Sequence, residues 1–149
     1  MTEIQSAITI HMCDDDPDDQ LLVTDALLEA RLANPIDFTS NGRELLQYLN
    51  REGKYEKLKG EPLPGLILLD LNMPIMDGRE VLQILKNDDK FKSIPIVVLT
   101  TSKAEEDVAR SYGMGVNSFV IKPVSFENLV EMIQSLTDYW FHVVHLPKS

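Results

Sequence analysis

Residues Gly65–Gly78, GLILLDLNMPIMDG, form the stretch whose reading decides the fold. Leu66 to Leu69 are uniformly apolar, in a run too short and uninterrupted for an amphipathic helix. Such a run suits the centre of a parallel sheet, where a strand is buried on both faces. It ends in Asp70, so a carboxylate sits at the carboxyl end of a buried strand, the edge where open α/β sheets bind ligands. Asn72, Met73 and Pro74 turn the chain away, and Asp77-Gly78 starts the next helix.

Four further strands read out from this centre. Downstream, Ile96 to Leu99 are apolar and lead into Thr100-Thr101-Ser102, and Ser118 to Ile121 lead into Lys122-Pro123. Upstream, Ala7 to Met12 make a strand interrupted by Thr9 and His11, and Ile36 to Thr39 make a short one. His11 reads as a strand residue rather than a ligand, because no second His or Cys lies near enough to complete a metal set. Helices fall between the strands. The first follows Asp16-Pro17, which supplies N-cap and N1-proline chemistry, with Asp18 and Asp19 in its first turn. Its apolar face is expected to carry Leu21, Leu22, Ala26, Leu27, Leu28 and Ala30. Further helices are expected over 43–51, 78–87 and 104–112, with a long final one from Ser125 through Trp140. Residues 52–64 read as a polar loop, either a surface insertion or a carrier of specificity. Strands and helices alternate five times, which implies right-handed crossovers and a parallel sheet covered on both faces.

Composition narrows the function. The 149 residues carry 14 Lys plus Arg against 24 Asp plus Glu, a formal net charge of −10. That excludes a basic nucleic-acid surface and suits a site that concentrates cations. One cysteine, Cys13, rules out an internal disulfide and fits a reducing, cytoplasmic setting. No signal peptide or membrane-spanning run is apparent.

Polar groups from four strands, Asp14/Asp15, Asp70, Thr100 and Lys122, should converge at one sheet edge. Crowded carboxylates need a cation, and all-oxygen ligands favour Mg²⁺. A calcium loop over Asp14, Asp16 and Asp18 fails, because Asp19 stands where glycine is required and Asp25 where the closing Glu belongs. A lysine beside a metal can neutralise a transferring phosphoryl group, and a carboxylate can accept one covalently. The residues alone thus reach a metal-assisted phosphate or phosphoryl site.

In order and spacing, the acidic pair, the DLNMPIMDG stretch, the Thr after strand four and the Lys-Pro after strand five resemble the receiver domains of two-component response regulators. The resemblance covers about residues 7–136. It implies a flavodoxin-like (CheY-like), doubly wound α/β fold with strand order 2-1-3-4-5. It implies Asp70 as phosphoacceptor from a sensor histidine kinase, and Asp15 as a direct Mg²⁺ ligand with Asp14 reaching the ion through water. The backbone carbonyl of Asn72 takes the third protein ligand position. Thr100 resembles the switch hydroxyl, with Thr101 as competitor, Lys122 the phosphate-pairing lysine and Phe119 the aromatic switch position. His11 and Cys13 depart from the aliphatic residues usual in the first strand. On this reading the chain is one receiver domain, not an enzyme with an outside substrate.

The 137–149 tail, TDYWFHVVHLPKS, is apolar for a terminus, and no output domain is expected after it. Together with the 52–64 loop, it resembles the single-domain regulators paired with bacterial phytochrome kinases, whose last helix and tail make homodimer contacts. A homodimer anchored by Tyr139, Trp140 and Phe141 is therefore expected. Two other readings compete. A Mg²⁺-dependent phosphohydrolase would want a second Asp where Asn72 stands, and a phosphorylation-independent pseudo-receiver would not need the complete set of site residues.

Overall fold

The computed structural model describes residues 9–29, 35–71, 73, 75–76, 78–100, 118–121, 127 and 131. Five parallel strands form one sheet in the order β2-β1-β3-β4-β5. They are β1 (Ile10–Cys13), β2 (Ile36–Thr39), β3 (Leu66–Asp70), β4 (Ile96–Thr100) and β5 (Ser118–Ile121). All five residues of β3 are buried, Asp70 included, as a central strand covered on both faces requires.

The register positions the strand ends. Cys13 lies opposite Leu69, and Asp70 opposite Leu99. One step beyond Cys13 therefore brings Asp14 level with Asp70, between the two strands where the winding reverses. Binding sites of doubly wound sheets form at that switch point.

Three helices are described between the strands: α1 (Pro17–Glu29), α2 (Gly42–Asn50) and α3 (Gly78–Lys86). Leu45 and Leu49 of α2 and Val81, Leu82 and Leu85 of α3 share one core cluster with Cys13, Ile67, Leu69, Ile96 and Val98. The alternate residues Ile10, Met12, Leu66, Leu68 and Leu99 are equally buried and point to the opposite face, since strand side chains alternate. α1 departs from expectation. Val23, Ala26 and Leu27 are buried, whereas Leu21 and Leu28 are 61% and 65% exposed. Val23, Ala26 and Leu27 are spaced i, i+3, i+4 and make the inward stripe, and Leu21 lies more than half a turn round from Val23.

The 52–64 segment is not a structureless loop. Gly53–Leu58 form a 3₁₀ turn, and Arg51 clasps the segment to α2. Arg51 ends the helix in the left-handed region, at φ 57°, a position that usually favours glycine. Its guanidinium offsets that cost by donating to the carbonyls of Tyr48 at 3.0 Å and Pro62 at 2.9 Å. It also lies 5.0 Å from the centre of the Tyr48 ring. Arg51→Ala removes these bonds and keeps the strained backbone, so a stability loss of about 2 kcal/mol is expected in urea unfolding. Arg51→Gly loses the same bonds but relaxes φ, and should cost less than Arg51→Ala. An equal or larger loss for glycine would show that the left-handed backbone at Arg51 carries no cost, and a negligible loss for Arg51→Ala would show that the clasp is not what holds the segment.

Candidate functional site

Asp14 follows β1 and is buried, Asp15 is exposed, and Asp70 ends β3 at 2% exposure. One carboxylate oxygen from each lies within 4.8 Å of the others. Local bonds fix the β1–α1 turn that carries the first two. The Asp14 N–H donates to the Thr39 carbonyl at 3.0 Å. The Asp14 carboxylate accepts the Asp16 N–H at 2.9 Å, and the Asp14 carbonyl accepts the Gln20 amide at 2.9 Å. The Asp16 carboxylate accepts the Asp18 N–H at 2.9 Å, an N-cap bond that starts α1. Gln20 was invisible as a positioning residue in the sequence. It is an ordinary helical glutamine until the fold brings Asp14 above it.

The donor set is oxygen only. Cys13 lies beneath the site with its thiol pushed up to about 12, by burial first and then by the nearby charges of Asp14, Glu44 and Asp70, against an opposing hydrogen bond from Thr39. A thiol held protonated is neither ligand nor nucleophile; it donates instead to the Asn41 carbonyl at 3.3 Å. Two buried carboxylates with a third at hand suit a hard divalent cation such as Mg²⁺.

Thr100 is the last residue of β4 and pairs with Ile121 at the end of β5. Phe119 lies within β5, opposite Val98. Asn72, Thr101, Lys122, Tyr139, Trp140 and Phe141 fall outside the described residues.

A second polar cluster lies below the site. His11 is fully buried; its Nδ1 lies 2.6 Å from Asp37 and its Nε2 2.9 Å from the Thr39 hydroxyl. Its ring stacks on Tyr48 at 4.0 Å, and the Tyr48 hydroxyl donates to the other Asp37 oxygen at 2.8 Å. An acid, an imidazole and a hydroxyl in this order resemble a hydrolase triad. With His11 and Thr39 at 0% and 1% exposure, no substrate reaches that hydroxyl, and the cluster is structural. Burial acts to raise the Asp37 pKa, but the His11 hydrogen bond and charge outweigh it and hold the carboxyl below its usual value.

Residues 10–134 match the family described as "Response regulator receiver domain". The response regulator Rcp1 of Synechocystis sp. is 38% identical over 140 residues, covering 94% of this chain and 93% of that protein. The probable methanogenesis regulatory protein FilR2 of Methanothrix harundinacea is 35% identical, over 93% of this chain and 86% of that one. Among solved structures, the bacteriophytochrome response regulator RtBRR superposes with a TM-score of 0.84 at 38% identity, covering 96% and 84% of the two chains. A Mn²⁺-bound form of Rcp1 superposes with a TM-score of 0.75 at 37% identity, covering 95% and 99%.

The chain belongs to the response regulator receiver family. It is a signalling receiver of the two-component type rather than an enzyme acting on an outside substrate. No helix among the described residues is long and apolar enough to cross a membrane.

Proposed function

We propose that this chain is a single-domain receiver, with its core over about 7–136, that takes a phosphoryl group onto Asp70 from a histidine kinase. The observation that carries the reading is the approach of the Asp14, Asp15 and Asp70 carboxylates to within 4.8 Å at the switch point of the sheet. Asp15 and Asp70 would hold Mg²⁺ directly, Asp14 would reach it through a water, and the Asn72 carbonyl would be the third protein ligand. When bound, the ion neutralises the carboxylates and the charge on the phosphoryl oxygens.

An Asp70 carboxylate oxygen attacks the phosphorus of a phosphohistidine. The P–N bond breaks, and its electron pair leaves on the imidazole nitrogen. Lys122 pairs with the transferred group, and the Thr100 hydroxyl donates to one of its oxygens. That bond draws β4 towards the site and biases a two-state equilibrium in which Phe119 turns inward. Hydrolysis of the acyl phosphate in the same site resets the protein.

The kinase partner we infer is a bacterial phytochrome, supported by the names of RtBRR and of the phytochrome response regulator RcpA, which is 34% identical over 91% of this chain. The apolar tail with Tyr139, Trp140 and Phe141 supports a homodimer, and the single cysteine supports a cytoplasmic location.

Acetyl phosphate plus Mg²⁺ should add the mass of one phosphoryl group to the intact protein, and EDTA should prevent the addition. No adduct from acetyl phosphate or from a phosphorylated kinase, on folded protein, would leave a phosphorylation-independent interaction module.

A further inference from the structure

We propose that Gly42 is a positioning residue for the acidic site: its lack of a side chain lets α2 hold the loop that follows Asp70 in place. The inference rests on the reading of Asp14, Asp15 and Asp70 as a divalent-cation site. The Gly42 N–H donates to the Met76 carbonyl at 3.2 Å, joining α2 to the β3–α3 connection. A Cβ on Gly42 would overlap the Met76 carbonyl oxygen and lie 2.5 Å from Val81 Cγ2. Real Cβ atoms essentially never approach closer than 3.0 Å, so one side must withdraw by about half an ångström or more.

The first turn of α2 is the less yielding side. The Asn41 side chain accepts the Glu44 N–H at 2.8 Å, and one Glu44 carboxylate oxygen accepts the Ser40 N–H at 2.9 Å. The other Glu44 oxygen accepts the Tyr55 hydroxyl. Reciprocal capping of this kind fixes a helix start, so the displacement falls on Met76.

Met76 is two residues from Gly78, which bears directly on Asp70. The Gly78 N–H donates to the Leu71 carbonyl at 3.0 Å, and a Cβ on Gly78 would lie 2.5 Å from the Asp70 carbonyl oxygen. A shift at Met76 is therefore passed through close-packed backbone to the residue that bears the buried carboxylate. Functional constellations tolerate about half an ångström of misplacement, the size of the shift that an added methyl imposes.

The backbone of the loop gives an independent sign that it is held. Ile75 has φ 72°, a left-handed conformation that β-branched residues rarely adopt. At 68% exposure, its own side chain does not anchor it. Such a conformation persists where the surroundings over-determine it; the Gly78–Leu71 bond closes the loop around Ile75, and the Gly42–Met76 bond holds the next residue.

The test is Mg²⁺ titration by calorimetry with urea unfolding run in parallel. Gly42→Ala should bind Mg²⁺ about tenfold more weakly than wild type, the low end for loss of a group that supports a metal site. Leu85→Val, a buried α3 change away from the loop, destabilises the protein and should bind as wild type does. Where Gly42→Ala alone does not fold, Gly42→Ala with Val81→Ala removes the Val81 overlap and keeps the Met76 one, and should still bind weakly. Wild-type affinity in either Gly42 variant overturns the positioning role alone. A wild type that binds no Mg²⁺ overturns the cation-site reading and this inference with it.

Discussion

Asp70→Asn is expected to gain no mass from acetyl phosphate and Mg²⁺ under conditions that phosphorylate the wild type fully. The amide keeps the size and placement of the side chain at the end of β3, and its lone pairs are too weakly nucleophilic to attack phosphorus. The same change should make the metal-free protein harder to unfold. Two unit charges within 4.8 Å of one another repel by about 3 kcal/mol or more at an effective dielectric near 20. Asp70 and Asp14 are both buried and cannot shed that repulsion into water. Part of it is offset by the other interactions these groups make, so a gain of about 1–2 kcal/mol is expected in urea with EDTA present. Millimolar Mg²⁺ should raise the stability of the wild type by more than that of the variant, because ligand binding to the folded state adds RT ln(1 + [L]/Kd). An adduct of equal mass on Asp70→Asn would place the acceptor elsewhere, and a variant less stable than wild type in EDTA would mean the three carboxylates do not repel as their spacing implies.

The framework and the acidic site were legible because both leave marks that local chemistry explains. Leu66–Leu69 and Ile96–Leu99 are continuous apolar runs, and only strands buried on both faces tolerate them. Asp70 stands out because it ends such a strand, and Asp14 and Asp15 stand out as an acidic pair directly after the first strand. What was missed depends on chains meeting at a distance. The Arg51 clasp joins a helix end to carbonyls ten and eleven residues on, and no periodicity announces it. Gly42 matters through a backbone bond to Met76; Gln20, though near in sequence, matters through a side-chain bond to the Asp14 carbonyl that no pattern marks. α1 was misread at Leu21 and Leu28 because apolar composition does not say which of two overlapping stripes a helix will bury. His11 lies in a strand as its sequence context implies, but its four-residue network required knowing that β1 and β2 pair in register and that Tyr48 of α2 lies over them.

That network sets the other large effect. His11→Ala is expected to cost about 3 kcal/mol in urea unfolding at neutral pH, the range for truncating a large, fully buried side chain that also leaves polar partners unmet. Neither consequence can be relieved by water, since His11 is completely enclosed and Thr39 nearly so. His11→Leu fills most of the space and leaves only the Thr39 and Asp37 bonds unmade, so it should lose roughly half as much. Asp37 reports on the cause separately. Burial pushes its pKa up, and the His11 hydrogen bond and charge bring it below the carboxylate's ordinary 3.8. A depressed carboxylate contributes stability that is present above its unfolded pKa and lost as pH falls through its folded pKa. For Asp37 that window lies at and below pH 3.8, so neutral pH is where the loss in His11→Ala should be largest. In either His11 variant, the Asp37 carboxyl followed by NMR should titrate at higher pH than in wild type. Tyr48, whose pKa is pushed up to about 12 by burial and then by Asp37, would remain a partner of Asp37 and moderate the rise. An Asp37 titration unchanged by His11→Ala would show that Tyr48 and Arg51 hold the carboxylate, and the expected stability loss would then have to come from the cavity alone.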